Sequence, residues 1–392
     1  LRFNFWRSIR ELPDRTFPPA GKTCPQQIRS LEDCYIFPWA NGLHDQHGNP
    51  IAGSFLERGP EHQVDYPYGF PQRLTDAQLA EEVDSWKTVV FLPYSDISHF
   101  GHLLTEGVAW MWPFLSDEIR RSLQNETDWK VVLVDRAYRK KVRQDPATTP
   151  PATDTATPAA PAYSGENLPS IARLTEIPVD RFLTVSSLPR PVKCQKVLLP
   201  WPSMINRRSI AEHHFMHVQT AVDRFYLLSK EDKAECLQQA MSMESKGKVY
   251  LSRSQLPGNL RLVHEEPELE RLLIESGWRI VYPEQLSVSQ QLKALAGARV
   301  IAGEAGSAFH LLMYFGNQLA RKTVITMGVQ DLKQDLRVLN LIYQMRLQPV
   351  DYRYLACLRH DLRRGVGDRS FLGSPRMIAR HLAKIASRAG AS

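Results

Sequence analysis

Cysteine is scarce in this chain. There are five in 392 residues, at Cys24, Cys34, Cys194, Cys236 and Cys357, an odd number spaced far apart. That pattern excludes a disulfide scaffold and a clustered zinc site, and it reads as reduced thiols in a cytosolic protein. Long apolar runs are missing too: none reaches the ~20 residues that a transmembrane helix needs. The first residue is Leu1 and not Met, so the lack of a leader is only mild support for the cytoplasmic location expected here, at most peripheral to a membrane. The glycine turn at 303–306 is neither a GxGxxG fingerprint nor a Walker A loop, since no Gly-Lys-Ser/Thr follows it, and there is no Asp-x-Asp pair in a loop suited to a metal-bridged pyrophosphate. No internal repeat is visible. The basic segments carry no nucleic-acid motif, which argues against nucleic acid as a partner.

What is present is an ordinary globular composition, 43% hydrophobic, in a chain long enough for two cores. The net charge of +7 suits an anionic partner, and its excess concentrates at 136–143 (RAYRKKVR) and 359–369 (RHDLRRGVGDR). These segments read either as solvated faces or as contacts for an anionic acceptor or a membrane leaflet. An amphipathic opener, LRFNFWRSIREL, precedes a Pro-rich stretch. Strands are predicted at 34–37, 87–92, 131–134, 182–185 and 195–199, and a long helix over 209–228. Residues 144–164 are Pro, Ala and Thr with almost no large apolar side chain. They cannot offset their ordering entropy and are read as a surface insertion. From about 336 the chain is expected to be helical, ending in a basic amphipathic helix over 374–389.

Between 248 and 327 strand and helix alternate with short connections. KVYL at 248–251 and WRIVY at 278–282 read as strands. Glu266-Pro267-Glu268 opens a helix that Gly277 stops, and Ser287 with Gln290 forms a capping box for the next. RVIAGEAGSAFHLLMYFG at 299–316 then reads as strand, glycine turn and helix, with Ser307 as the helix cap. A final strand is predicted at 323–327. The alternation predicts a parallel, doubly wound α/β sheet. Ligands on such sheets sit at the carboxyl ends of the strands, where Ser252-Arg253 and 303–307 both fall. A glycine turn into a helix aims backbone N–H groups at one point, which suits a phosphate. Two glycines at such a turn also have a plain packing explanation.

Three motifs in this order resemble the family 61 glycosyltransferases in their bacterial form. SRSQLPGNLRLVHEEPEL at 252–269 resembles the Ser-Arg…Arg…Glu-Glu-x-Glu-Leu pattern of that family. The following stretch, SGWRIVYPEQLSVSQQLKALAGARVIAGEAGSAFHLLMY, resembles its Gly-x-x-Gly-Ser turn, and His99-Phe100-Gly101-His102 supplies its upstream motif. Glu304 is a departure, since eukaryotic members usually carry His there. The resemblance implies two Rossmann-like domains facing a cleft, the GT-B type. It also implies inverting transfer of a sugar from a nucleotide-sugar donor to a hydroxyl of a glycan or polysaccharide, in surface-polysaccharide assembly. The expected division is an acceptor-side domain over 1–235, a donor-binding domain over 240–350, and C-terminal helices over 351–392 that could cross back.

The candidate residues follow. His102 and Glu106 are four apart, so on a helix the carboxylate can hold the imidazole in one tautomer and make its other nitrogen more basic. That is what a general base for a sugar hydroxyl needs, with His99 and Glu106 as rivals. The bland alternative is a pair of packed histidines beside a glycine. Ser252, Arg253 and Arg261 bring cations beside the glycine turn, where Gly303, Gly306 and Ser307 would meet the diphosphate as negative charge develops on it. Glu304 could accept from ribose or sugar hydroxyls, or be a solvated turn carboxylate. It would repel a phosphate placed against it, which favours the Gly306–Ser307 side. His310 could reach a phosphate or sit in the core. His213 and His217 have metal-ligand spacing, but a satisfied histidine cluster reads better. No metal or other cofactor is expected beyond the donor, taken as UDP-linked. Two other classes stay open: a non-catalytic glycan-binding protein on the same fold, and another sugar-nucleotide enzyme such as an epimerase.

Overall fold

The computed structural model describes residues 10–12, 27–38, 42–54, 73–93, 103–134, 168–205, 209–211, 213–242, 247–256, 262–329, 351–360 and 369–389. His99, His102, Arg261, the basic segment 136–143 and the insertion 144–164 lie outside the described residues. In chain order the strands are β1 (Arg10–Leu12), β2 (Ile28–Ile36), β3 (Leu43–His44), β4 (Asp84–Leu92), β5 (Trp129–Leu133), β6 (Phe182–Thr184) and β7 (Val192–Pro200). There follow β8 (Met204–Ile205), β9 (Ser209–Ile210), β10 (Gly247–Leu251), β11 (Arg279–Val281), β12 (Ala298–Glu304), β13 (Thr323–Val329), β14 (Asp351–His360) and β15 (Arg369–Phe371).

The chain divides into two compact units. Gly21–Phe225 forms one, and Tyr226–Ser392 with Leu1–Ala20 forms the other. The first unit holds a sheet ordered β3-β2-β7-β4-β5-β6. It is parallel through β7, β4, β5 and β6, and antiparallel at β2 and β3. The run Val89–Leu92 of β4 is wholly buried, as expected of a strand covered on both faces. Sequence spacing hides one juxtaposition: Cys34 and Cys194 stand opposite each other on β2 and β7. The four described cysteines are buried free thiols. Burial pushes the Cys34 thiol up to about 11, which keeps it from forming the reactive thiolate.

The second unit holds a sheet ordered β1-β14-β13-β12-β10-β11, with β15 on β14. The strands β11, β10, β12, β13 and β14 are parallel. Tyr250, Val300, Ala302, Ile325 and Met327 pack with Leu269 and Leu273 of the Glu266–Glu275 helix and with Ile378, Leu382 and Ile385 of the Pro375–Ala389 helix. The alternate residues Val249, Leu251, Ile301 and Val324 are buried as well, so both faces are covered. The predicted helix ends hold: Gly277 has φ 74°, and the Ser287 and Gln290 capping box is present.

Two expectations need correction. Residues 351–360 form a strand and not a helix. DYRYLACLRH places Tyr352, Tyr354, Ala356 and Leu358 two apart, and pairing of β14 with β13, β1 and β15 buries its middle. The helix predicted over 209–228 is His214–Tyr226, with β9 taking Ser209–Ile210. The C-terminal helix, basic and amphipathic as predicted, buries its apolar stripe in the core of the second unit.

Candidate active site

The chain leaves β10 for β11 on one side and returns as β12 on the other. The switch point of the second sheet therefore lies between β10 and β12, with Leu251 opposite Gly303. Ser252 and Arg253 continue β10 beyond the sheet, and Glu304 ends β12 beside them.

The helix Glu266–Glu275 fixes the Ser252–Arg253 segment. Its inward stripe is Glu266, Leu269, Glu270 and Leu273, two carboxylates among two leucines. Glu266 accepts from the Tyr250 hydroxyl at 2.8 Å and from the Arg253 backbone N–H at 3.2 Å. Glu270 accepts from the Ser252 hydroxyl at 2.5 Å and from the Tyr282 hydroxyl at 2.8 Å. Burial pushes the Glu266 carboxyl up to about 8, against the pull of the Tyr250 hydroxyl. The acidic part of the Ser-Arg…Glu-Glu-x-Glu-Leu motif thus shapes the loop that presents Arg253. Two glutamates at core positions of an amphipathic helix were the signal for this, and periodicity alone does not reveal their partners.

Glu304 is a buried strand-end residue, so it is not a solvated turn carboxylate. One oxygen lies 2.6 Å from Arg369 Nη1 and the other 3.5 Å from Arg253 Nε. Arg369, itself 4% exposed, falls in a segment that the sequence offered only as a basic patch. Arg253 is partly exposed, with 23% of its side-chain surface open.

The two glycines of the turn differ in purpose. A Cβ on Gly303 would lie 2.7 Å from the Leu251 carbonyl oxygen, so Gly303 lets β10 and β12 approach. A Cβ on Gly306 would lie 2.9 Å from Arg253 Nη1, so Gly306 makes room for the guanidinium. Gly306 is extended, with φ −170°, and is itself the N-cap. Ser307 is consequently the first helical residue and not the cap, and no side-chain cap bond forms. The helix that follows, Ser307–Arg321, is wound as 3-10 and kinked at Gly316, where φ is 47°. His310 lies in its second turn and is half-buried. The structure therefore brings Ser252, Arg253, Gly303, Glu304, Gly306 and Ser307 to one crest.

In the first unit Glu106 lies in a single π-wound turn, Leu103–Gly107, that leads into the helix Val108–Leu115. It is buried and accepts from the Thr105 hydroxyl. Such turns often mark functional positions, because the extra residue redirects side chains. His214 is buried with its Nδ1 2.9 Å from the Ser203 hydroxyl, and His217 stacks on Trp112 with ring centroids 5.8 Å apart. Burial lowers them to about 3 and about 4, so both are packed neutral rings. Among the described residues, no group of three or more His, Cys, Asp or Glu is placed to hold a metal ion. No described helix is long and apolar enough to cross a membrane.

The second unit is thus a parallel-rich α/β sheet whose switch point carries Arg253 against the glycine turn. The particular family follows from comparison with known proteins. The model described as Glycosyltransferase 61 matches residues 100–326, more than half of the chain, and the chain belongs to that family. It is a glycosyltransferase. No curated protein sequence matches it. Among solved structures it is similar to a glycosyl transferase of family 9 from Veillonella parvula DSM 2008, at 9% identity and a TM-score of 0.30, over 78% of this chain and 99% of that one. A similarity that loose says nothing about the site.

Proposed function

We propose that the crest between β10 and β12 binds the diphosphate of a nucleotide sugar, and that the protein transfers the sugar, with inversion, to a hydroxyl of a glycan. The observation that carries this reading is Arg253 Nη1 lying against Gly306, where the 3-10 helix begins. A guanidinium fork and helix-terminal N–H groups would together meet a diphosphate there, and both favour the developing charge as it departs. Ser252, Gly303 and Ser307 would form the rest of the donor contact, with Arg261 and His310 at its edges. UDP is the nucleotide diphosphate to try first. Arginine charge would do the work that a metal does elsewhere, so transfer would be metal-independent.

The general base would be His102, oriented by Glu106, with His99 as its rival in the motif. The two units would serve as acceptor-side and donor-side domains of the GT-B type. Surface-polysaccharide assembly in the cytoplasm is the natural setting, at most peripheral to a membrane. The C-terminal helix supports contact with an anionic surface, because Arg376, Arg380, Lys384 and Arg388 recur every fourth residue on its exposed face. The test is calorimetric titration of UDP in chelator, followed by transfer assays with a panel of nucleotide sugars. Diphosphate binding without metal, and release of a glycosylated product, are expected. Binding only with Mg²⁺ or Mn²⁺ would sink the metal-free reading, and donor binding without transfer or hydrolysis would favour a glycan-binding protein on the same fold.

A further inference from the structure

Arg369 lies beyond the residues that the family model matches, yet the fold delivers it to the crest. Its backbone is stitched to the segment entering the Glu266 helix: its N–H donates to the Leu262 carbonyl at 2.8 Å, and its carbonyl accepts from the His264 N–H at 3.2 Å. Two residues on, the Phe371 N–H donates to the Glu265 carboxylate at 3.3 Å. The strand β15 therefore braces the same loop that the Glu266 helix shapes. From there the Arg369 side chain reaches inward to Glu304, almost fully buried.

The charge tally explains what it does. Glu304 stands between two guanidiniums, 2.6 Å from Arg369 and 3.5 Å from Arg253. A guanidinium keeps its proton in proteins, so the triad carries one net positive charge. Without Arg369, Arg253 and Glu304 would form a neutral pair, and the carboxylate would draw the guanidinium away from Gly306. A diphosphate would then meet a carboxylate in place of a cation. The nearer distance to Arg369 shows which arginine Glu304 holds more tightly. Glu266, pushed up by burial, is largely protonated at neutral pH and adds little countercharge. Glu270 accepts from the hydroxyls of Ser252 and Tyr282, which hold it on the Ser252 side but leave its charge in place in the parent and in every variant alike.

We infer that Arg369 is a positioning residue for the donor site: by engaging Glu304 it keeps Arg253 turned to the diphosphate and makes the crest one charge more positive than it would be without it. This rests on the donor-site reading given above. The test is titration of the full chain with inorganic pyrophosphate and with UDP, comparing the parent with Arg369→Met, Glu304→Gln and the double variant. Arg369→Met is expected to bind about tenfold or more weakly, as loss of one net charge beside the ligand implies. The double variant restores one net positive charge and removes both halves of a buried pair, and its affinity is expected to recover to near the parental value. Glu304→Gln, with a net charge of two, is expected to bind at least as tightly as the parent. If Arg369→Met does not fold, the Glu304→Gln and double variants still decide. A folded Arg369→Met that binds like the parent overturns the inference. So does a folded double variant that binds no better than Arg369→Met, which would make Arg369 a fold brace only, and so does weakened binding in Glu304→Gln. If the parent itself binds neither probe, it is the donor-site reading that fails.

Discussion

Alanine at Gly303 and alanine at Gly306 should behave in opposite ways. At Gly303 the new Cβ would meet backbone, 2.7 Å from the Leu251 carbonyl oxygen and 3.1 Å from Leu251 Cβ. Neither atom can swing away, since both belong to the neighbouring strand of the same sheet. Forcing a methyl group into such a contact costs roughly 1–3 kcal/mol, because paired strands must spread. At Gly306 the nearest atom is Arg253 Nη1 at 2.9 Å, and the next is the Glu304 carbonyl oxygen at 3.7 Å. The end of an arginine can move, and the extended backbone of Gly306 accepts any residue. Removing a glycine from the unfolded chain even favours the folded state by about 0.4–1 kcal/mol. What Gly306→Ala displaces is the guanidinium, and losing a charge-assisted contact costs about 1.5–3 kcal/mol of binding, roughly 10- to 100-fold in affinity.

Thermal melting and UDP titration of the two variants therefore form a crossed pair. Gly303→Ala should melt several degrees below the parent, at about 2–4 °C for each kcal/mol in a domain of this size. Gly306→Ala should melt at or slightly above the parent and bind UDP poorly. Parental affinity in Gly306→Ala would refute the placement of Arg253 against the ligand. An unchanged melting temperature in Gly303→Ala would refute the close approach of β10 and β12.

Three further outcomes are expected. Arg253→Ala should lose about 1.5–3 kcal/mol of diphosphate binding while keeping its circular dichroism; undiminished binding in calorimetry would remove Arg253 from the site. His102→Ala should slow transfer roughly 10²–10⁴-fold and spare UDP affinity; near-parental turnover would move the base to His99 or Glu106, and lost UDP binding would make His102 structural. His217→Phe should keep the stack on Trp112 and remove an acid sensitivity. Burial lowers His217 from 6.5 to about 4, so the unfolded chain takes up the proton first, and the stability it contributes is full above 6.5 and falls as pH drops toward 4. At about 1.4 kcal/mol per pH unit the variant should gain on the parent by roughly 3 kcal/mol by pH 4; parallel urea-denaturation curves at pH 7 and pH 4.5 would contradict this.

Much of the second unit was legible because its signals are local. The Ser287 and Gln290 capping box and the Gly277 stop are written within a few residues of the features they make, and each is present. The alternation of β10, β11, β12 and β13 with their helices follows from period and punctuation alone, and it places the carboxyl ends correctly. Where the reading failed, tertiary pairing overrode local preference. The strand β14 lies inside a sheet whose neighbours are distant in the chain, so its state is set by pairing that no local signal describes. The helix after Gly306 has α-type composition, yet it is wound as 3-10 and kinks at Gly316. The general-base motif was legible as a motif, but His99 and His102 lie outside the described residues, so only Glu106 of that constellation has a described surrounding.

The hardest residue to read was Glu304, and the reason is electrostatic. Taken with its chain neighbours it is a carboxylate set into an anion turn, which looks like a defect in the site. Its sign makes sense only with Arg369, whose guanidinium lies 2.6 Å away across the fold. No periodicity connects the two, since Arg369 is carried in by β15 through its pairing with β14 and its bridge to Val263. Once both arginines are counted, the carboxylate no longer opposes the anion: it ties two cations together and leaves one charge over. Two guanidiniums at close quarters repel, and a shared carboxylate lets the buried Arg369 and the partly exposed Arg253 stand on either side of it. On the donor-site reading, the carboxylate at Glu304 still leaves one positive charge in its triad with Arg253 and Arg369.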